Sequence, residues 1–144
     1  MQHPSEMSPA DLLCAREGMG LSITELAVVL GLDAREQASG PALERSQRQP
    51  GPLHPRTVKR WERGGGISAP NAAAFARLLE HTEETAQEIV DGHRPGEPIV
   101  TYLDDAAFHA GGGWPALTAR WHRAVAKRAK DRTGARIVYA GHDE

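Results

Sequence analysis

The chain has 144 residues, and its 17 basic and 19 acidic residues give a formal charge of −2. That length suits one compact domain or one small domain with an appendage, and the near-neutral charge excludes a global basic field as the basis of nucleic-acid binding. The lone Cys14 excludes an intrachain disulfide and favours a reducing cytoplasm, while no apolar run reaches membrane-spanning length.

The first predicted helix begins at a serine. Ser8 is a predicted N-cap, with Pro9 at the first helical position and Asp11 three residues on. Leucine and alanine follow at helical spacing, and Gly18 and Gly20 are expected to end the helix.

The second predicted helix covers residues 23–30. Ser22 is its expected N-cap, with Glu25 three residues later. Because Gly31 permits a left-handed turn, the helix is expected to end there. Its predicted apolar face consists of Ile23, Leu26, Ala27 and Leu30.

Residues 54–64 carry the pattern on which the functional hypothesis depends. Read as a helix that begins near Pro55 and stops at Gly64, they place Val58 and Trp61 on one face. A short basic amphipathic helix is often just a solvated surface, but guanidinium groups also suit guanine edges and phosphates. The opposite face carries Arg56, Arg60 and Arg63, with Lys59 at its edge.

Residues 21–32 and 56–64 together resemble the two motif helices of the Xre (Cro/C1-type) helix-turn-helix regulators, over roughly residues 8–90. The resemblance implies a mainly α protein, with a helix-turn-helix bundle of four to five helices. It also implies that the second motif helix enters the DNA major groove while the first braces it. The matching residues are Leu21-Ser22-x-x-Glu25-Leu26-Ala27-x-x-Leu30-Gly31-Leu32 and Arg56-Thr57-Val58-x-Arg60-Trp61-Glu62-x-Gly64.

Candidate DNA contacts follow from this resemblance and from the arginine pattern. Arg56 and Arg60 are predicted to contact base edges, with Thr57 as a further base contact. Asn71 either holds phosphate or is an ordinary polar residue near a helix start. The predicted phosphate contacts are Ser22, Thr24, Lys59, Arg63 and Asn71.

Two roles are open for Glu62. By resemblance to the family it pairs with Arg16 and orients the fold. The alternative is a solvated charge on a basic helix.

The chain departs from the family between the two motif helices. An insert at residues 34–54, rich in Gln, Ser, Pro and Gly, stands where connections usually take two to about eight residues. It is either a surface loop or an extra arm that reaches the DNA backbone or minor groove. Its arginines are Arg35, Arg45 and Arg48.

The rest of the chain divides at a linker over residues 92–96. A further helix is expected from Ser68 or Pro70, with a possible break near His81 and Thr82. The predicted domains are therefore a DNA-binding domain at residues 1–96 and a C-terminal strand-helix-strand part at residues 97–144. The expected C-terminal elements are strands at 98–103 and 136–140, a short helix at 104–109 and a longer one at 114–131.

This C-terminal part is too small to bury much on its own, and it offers no disulfide or metal staple. Pairing with an identical chain is the simplest solution. The part also resembles the dimerisation part of anti-CRISPR-associated repressors, through Arg94-Pro95, Tyr102, Trp121 and Tyr139-x-x-His142. The predicted dimerisation residues are Ile99, Tyr102, Trp121, Val138 and Tyr139.

The sequence carries no clear pattern for catalysis or metal binding. The seven histidines lack ligand spacing, and no helical His-x-x-x-His or cysteine pair occurs. Asp104 and Asp105 with His109 read as a helix cap rather than as a hydrolytic site. No catalytic residue, cofactor or metal is expected.

The sequence thus predicts a cytoplasmic transcriptional regulator, a homodimeric (auto)repressor on a double-stranded inverted-repeat operator. One alternative is an antitoxin-type module whose C-terminal part grips a partner protein. Another is RNA binding through the basic side of the 114–131 helix, which carries Arg120, Arg123, Lys127 and Lys130. No membrane partner is expected.

Overall fold

A computed structural model describes residues 2–37 and 53–141 of the chain. For residues 34–37 it describes the backbone only. This part of the chain is mainly helical with one small parallel sheet, which confirms the predicted mainly α class. A 3-10 turn at Pro4–Glu6 precedes α1 (Pro9–Gly18), α2 (Ile23–Gln37), α3 (Pro55–Trp61), α4 (Ala69–Gly92), β1 (Ile99–Thr101), α5 (Asp105–Ala110), α6 (Ala119–Thr133) and β2 (Ile137–Tyr139).

The chain forms two compact units. The N-terminal unit comprises Met1–Glu17 and Ser22–Leu78, and the C-terminal unit comprises Gly18–Leu21 and Leu79–Glu144. The division falls inside α4, earlier than the boundary at residue 96 that the sequence suggested. The second half of α4 therefore contributes to the C-terminal unit.

The first two helices begin at the serines that the sequence indicated. The Ser8 hydroxyl accepts a hydrogen bond from the Asp11 N–H at 3.1 Å, and the Asp11 carboxylate accepts one from the Ser8 N–H at 3.2 Å. Ser22 and Glu25 make the same reciprocal pair at 3.0 and 2.8 Å. Each pair satisfies two N–H groups that a helix start leaves unpaired.

The predicted end of α2 at Gly31 is wrong. The helix continues to Gln37, and Gly31 is buried inside it without a left-handed backbone. Arg77 of α4 holds this extension, because its Nε donates to both carboxylate oxygens of Asp33 at 3.1 and 3.0 Å. This hydrogen bonding raises the pKa of Arg77. A contact 44 residues away, invisible to local patterns, thus favours helix over turn.

The predicted break in α4 near His81 and Thr82 is also wrong. Thr82 is 1% exposed, and its hydroxyl accepts a hydrogen bond from the Trp121 indole N–H at 3.0 Å while donating to the Met19 sulfur at 3.4 Å. Thr82 therefore lies inside a continuous helix, and its hydroxyl is hydrogen-bonded within the C-terminal core.

The two predicted C-terminal strands are present and shorter than expected. They pair in parallel, with Ile99 opposite Ile137 and Thr101 opposite Tyr139. The connection between them contains α5 and α6, a crossover of the length that parallel pairing requires.

The long C-terminal helix starts later than residue 114. The Thr118 hydroxyl accepts from the Trp121 N–H at 3.1 Å and caps α6, so Trp114 lies before the helix and is 43% exposed. The predicted start at residue 114 is therefore wrong, because the Thr118 cap decides where the helix begins.

Three of the predicted dimerisation residues lie in the protomer's own core. Ile99, Trp121 and Val138 are each less than 5% exposed. Tyr102 and Tyr139 are half-buried.

The second half of α4 adds to the core of this part of the chain. Ile89 and Val90, near the C-terminal end of α4, pack against the cluster formed by Ile99, Ala126 and Ala129. Pairing with a second chain stays a prediction.

Replacing Thr82 with valine should destabilise the C-terminal unit by about 1–3 kcal/mol, because the buried Trp121 N–H loses its acceptor while the shape of the core is kept. Urea unfolding measures the change. The matched control is Thr85→Val on the same helix, whose hydroxyl donates only to the His81 carbonyl at 2.7 Å. Equal losses in both variants would contradict the role assigned to this hydrogen bond.

Stability should also fall in mild acid because of His122. Its Nδ1 lies 2.7 Å from the Thr101 hydroxyl, and burial lowers its pKa below the ordinary 6.5. Below that pH the unfolded chain takes up the proton first, so stability present above about pH 6.5 is lost as pH falls through the folded-state value.

This loss is measured as the difference in the free energy of unfolding between about pH 7.5 and about pH 5.5. The loss should be smaller in His122→Gln and unchanged in His3→Gln, an exposed control. An undiminished loss in His122→Gln would exclude His122 as its source.

Candidate nucleic-acid interface

Helix α3 is held by its apolar face, as predicted. Val58 and Trp61 are 0% and 2% exposed, and α3 packs against α2. Pro55 occupies the first turn, and the N-cap is His54, whose imidazole Nδ1 accepts from the Arg56 N–H at 3.0 Å. The helix ends at Trp61, three residues before the predicted stop at Gly64.

The opposite side of this segment forms what we call the α3 basic face. Its four cationic side chains are exposed and make no ion pair with any residue that the structure describes. With Thr57, His54, Gly64 and Gly65 they line an open concave surface of about 770 Å³, and none of these eight residues is acidic. The members of the α3 basic face are Arg56, Thr57, Lys59, Arg60 and Arg63.

Glu62, the acidic residue within this basic segment, has a largely buried side chain. Glu62 binds Arg16 of α1 through two hydrogen bonds, from Nε to Oε2 at 2.7 Å and from Nη2 to Oε1 at 3.1 Å. The two side chains are only 11% and 6% exposed, for Arg16 and Glu62 respectively. Hydrogen bonding to Glu62 raises the pKa of Arg16, so the pair is an ionic bridge. The predicted pairing is confirmed.

Gly65 contributes to this surface in a way that the sequence reading missed. A Cβ at position 65 would lie 2.2 Å from the Arg60 Cγ and 3.0 Å from the Arg60 carbonyl oxygen. The Gly65 N–H donates to that same oxygen at 2.8 Å. The missing side chain leaves room for the stem of Arg60. The run of three glycines directly after a basic helix was the available signal, although it reads first as a flexible exit.

The structure does not gather every predicted DNA contact on this surface. Ser22 is half-buried and engaged in capping α2, and Thr24 is exposed in the first turn of α2. Asn71 is half-buried in the first turn of α4, where its N–H lies 3.4 Å from the Ser68 hydroxyl. None of the three lines the concave surface at α3. Residues 38–52, and with them most of the insert, lie outside the described residues.

The basic side of α6 is largely occupied by internal contacts. Arg123 donates to the carbonyls of Tyr102 and Leu103, both at 2.8 Å. Lys127 pairs with Asp131 of the same helix at 2.5 Å. Two further arginines of α6, Arg128 and Arg132, pair with Glu83, and Lys130 donates to the Ala135 carbonyl.

The side chains of Asp104, Asp105 and His109, the residues weighed above as a hydrolytic site, contact the backbone of neighbouring segments. Asp104 accepts from the Ala107 N–H at 2.9 Å, which confirms its cap role. Asp105 accepts from the Ala119 N–H at 2.8 Å, and the His109 imidazole contacts the Leu117 carbonyl at 2.9 Å.

Comparisons with protein-family models, with curated proteins and with solved structures found no match. Among the residues that the structure describes, no three His, Cys, Asp or Glu side chains form a group suited to a metal ion. No helix in the same ranges is both long and apolar enough to cross a bilayer.

Replacing Glu62 with glutamine should destabilise the N-terminal unit by about 3 kcal/mol, near the lower end for breaking a buried ion pair. Urea unfolding measures the loss, with Glu6→Gln as the control because Glu6 is exposed. If Glu62→Gln were no less stable than the control, the ion pair would not be what holds α3.

Replacing Gly65 with alanine should displace Arg60, because the new methyl group would overlap the Arg60 stem. The Arg60 side-chain NMR signals should shift, while the far-UV circular dichroism of the chain stays unchanged. Gly92→Ala is the control, since a Cβ there meets nothing within 4 Å. Identical Arg60 spectra in both variants would refute this positioning role.

Proposed function

We propose that the chain is a sequence-specific, double-stranded DNA-binding transcriptional regulator of the Xre helix-turn-helix type. Helices α2 and α3 are the motif helices, and α3 enters the major groove. The single observation that carries the proposal is the α3 basic face, four exposed cations on α3 and on the turn that follows it. None of the described residues that line this surface is acidic, and Val58 and Trp61 anchor the helix.

The dimensions of α3 support this placement. An α-helix with its side chains is about 10–12 Å across, and the major groove is about 12 Å wide. We assign Arg56 and Arg60 to base edges, with Thr57 beside them, because a guanidinium binds guanine O6 and N7 through two hydrogen bonds. The flanking cations Lys59 and Arg63 are assigned to phosphate, which sets register without reading sequence.

The other proposed phosphate contacts are peripheral to α3. Thr24 is exposed next to the N-terminal end of α2, where free N–H groups attract anions. Ser22 and Asn71 complete the set by their position near helix starts, although their own N–H groups donate to Glu25 and Ser68. These contacts would brace the motif across the DNA backbone.

One α3 reads only a few base pairs, which supports a homodimer on an inverted repeat with half-sites about 34 Å apart. The side chains available for pairing in the C-terminal unit are the half-buried Tyr102 and Tyr139 and the exposed Val100 and Leu103, rather than the buried core residues. The regulator would act in the cytoplasm by covering a promoter, without cofactor or catalysis. RNA binding through α6 has less support, because most of its cations are engaged.

The test begins with selection of bound DNA from a random pool and then compares two variants on the selected site and on random DNA. Arg60→Ala should lose about 1–3 kcal/mol on the selected site and relax preference at one base pair. Lys59→Ala should weaken binding to all sequences alike and flatten the salt dependence by about one unit.

The control is Arg136→Ala, an exposed arginine of the C-terminal unit, which should bind like the unmodified chain. A pool that yields no enriched sequence, or two α3 variants that behave alike on both kinds of DNA, would overturn the proposal.

A further inference from the structure

A second concave surface lies within the C-terminal unit, where a cleft of about 370 Å³ opens between α4, α5, α6 and the glycine loop before Trp114. Its volume is within the range of small-ligand sites. The chain has only seven Phe, Tyr and Trp residues, and four of them line this cleft. We call it the aromatic cleft; the four are Tyr102, Phe108, Trp114 and Trp121.

The rings of the aromatic cleft are held in place by their neighbours. His81 stacks on Trp121 with ring centres 5.5 Å apart and planes 6° from parallel. Tyr102 meets Phe108 edge-on at 5.7 Å. A preformed set of ring faces loses little conformational entropy when a ligand binds.

The glycine loop forms one wall because it has no side chains. A Cβ at Gly111 would lie 2.7 Å from the Tyr102 hydroxyl, and one at Gly113 would lie 2.5 Å from the Phe108 ring. The loop backbone therefore lies directly against the aromatic rings. This contact positions the following residue, Trp114, at the edge of the cleft.

Trp114 differs from the other rings of the cleft. It is 43% exposed, whereas Trp121 and Phe108 are each 3% exposed. An indole is a large apolar surface, and one left half open beside a preformed cleft offers the contact area that a ligand would cover.

The charge of the aromatic cleft has one sign. Glu88 of α4 is exposed and makes no ion pair with any residue of the described ranges, and no Lys or Arg lines the cleft. Burial lowers the pKa of His122, so this ring is neutral at pH 7 and does not repel a cation. An anion, in contrast, would face the Glu88 carboxylate and the negative faces of the rings.

We propose that the aromatic cleft binds a small organic cation of the quaternary ammonium class, with its charge over the exposed Trp114 ring and beside Glu88. Attraction between a cation and the π-face of tryptophan provides the affinity, and the carboxylate adds to it. This binding site goes beyond the proposed DNA binding and does not depend on it.

The test uses the full chain and a matched pair of probes, choline and its neutral carbon isostere 3,3-dimethylbutan-1-ol. NMR follows the indole N–H signals of the three tryptophans during titration. Choline should shift the Trp114 and Trp121 signals and leave that of Trp61, in the N-terminal unit, unchanged. It should bind about fivefold to tenfold more tightly than the isostere, as expected for a cation over aromatic faces.

Two variants separate the contribution of the Glu88 carboxylate to choline binding from that of the Trp114 ring. Glu88→Gln should weaken choline about threefold to fivefold and leave the isostere unaffected, whereas Glu84→Gln, an exposed control on the same helix outside the cleft, should change neither. Trp114→Leu keeps an apolar side chain but removes the ring, and should reduce the preference for choline over the isostere. Both substituted positions are exposed, so the variants should fold.

Three results would overturn the proposal: equal affinity for the two probes, an unmoved Trp114 signal, or a Glu88→Gln variant that binds choline like the control. None of these readouts involves DNA, so failure here would leave the proposed regulatory function standing.

Discussion

The α3 basic face depends on how α3, a helix too short to be stable alone, is held in place. Isolated helices of fewer than about 12–15 residues are marginal in water, and α3 has only seven. Its position is therefore determined by burial of Val58 and Trp61 and by the ion pair between Glu62 and Arg16. These contacts lie on the side away from the exposed cations. The anchor also removes the single acidic group that would weaken the attraction of the α3 basic face for phosphate.

The C-terminal unit follows a similar principle with different chemistry. Its center is Trp121, which buries a large ring and satisfies its indole N–H through Thr82. Because the second half of α4 supplies this partner, part of the C-terminal core forms within one chain.

Local features of the fold could be predicted where the physical cause is local. The two serine caps, the buried face of α3 and both C-terminal strands follow from spacing within a few residues. The pairing of Glu62 with Arg16 spans 46 residues, and it was reached by family resemblance rather than by periodicity.

The errors arose where a distant contact overrides a local preference. Gly31 is compatible with a turn, and the bond between Arg77 and Asp33 favours helix instead. Trp114 fits the helical spacing of α6, but the Thr118 cap starts that helix later. An apolar pattern shows which side chains avoid water and not which surface covers them. Val138, which its pattern marks as a dimerisation residue, is 4% exposed within one chain.

The candidate site was predictable in its charges and not in its shape. Every member of the α3 basic face was identified from the sequence, because exposed cations opposite an apolar stripe have a clear pattern. The contribution of Gly65 cannot be seen in the sequence, since it concerns the space beside the Arg60 stem. The aromatic cleft was equally hidden, because its residues come from four separate segments of the chain.

The way α3 is anchored has a consequence for how its sequence can vary. Arg56 and Arg60 are exposed, whereas Val58 and Trp61 are buried. Under the proposed function, substitutions at the exposed positions would change the base contacts and leave the buried anchor intact. Selection would then preserve Val58 and Trp61 while the exposed positions vary with the operator.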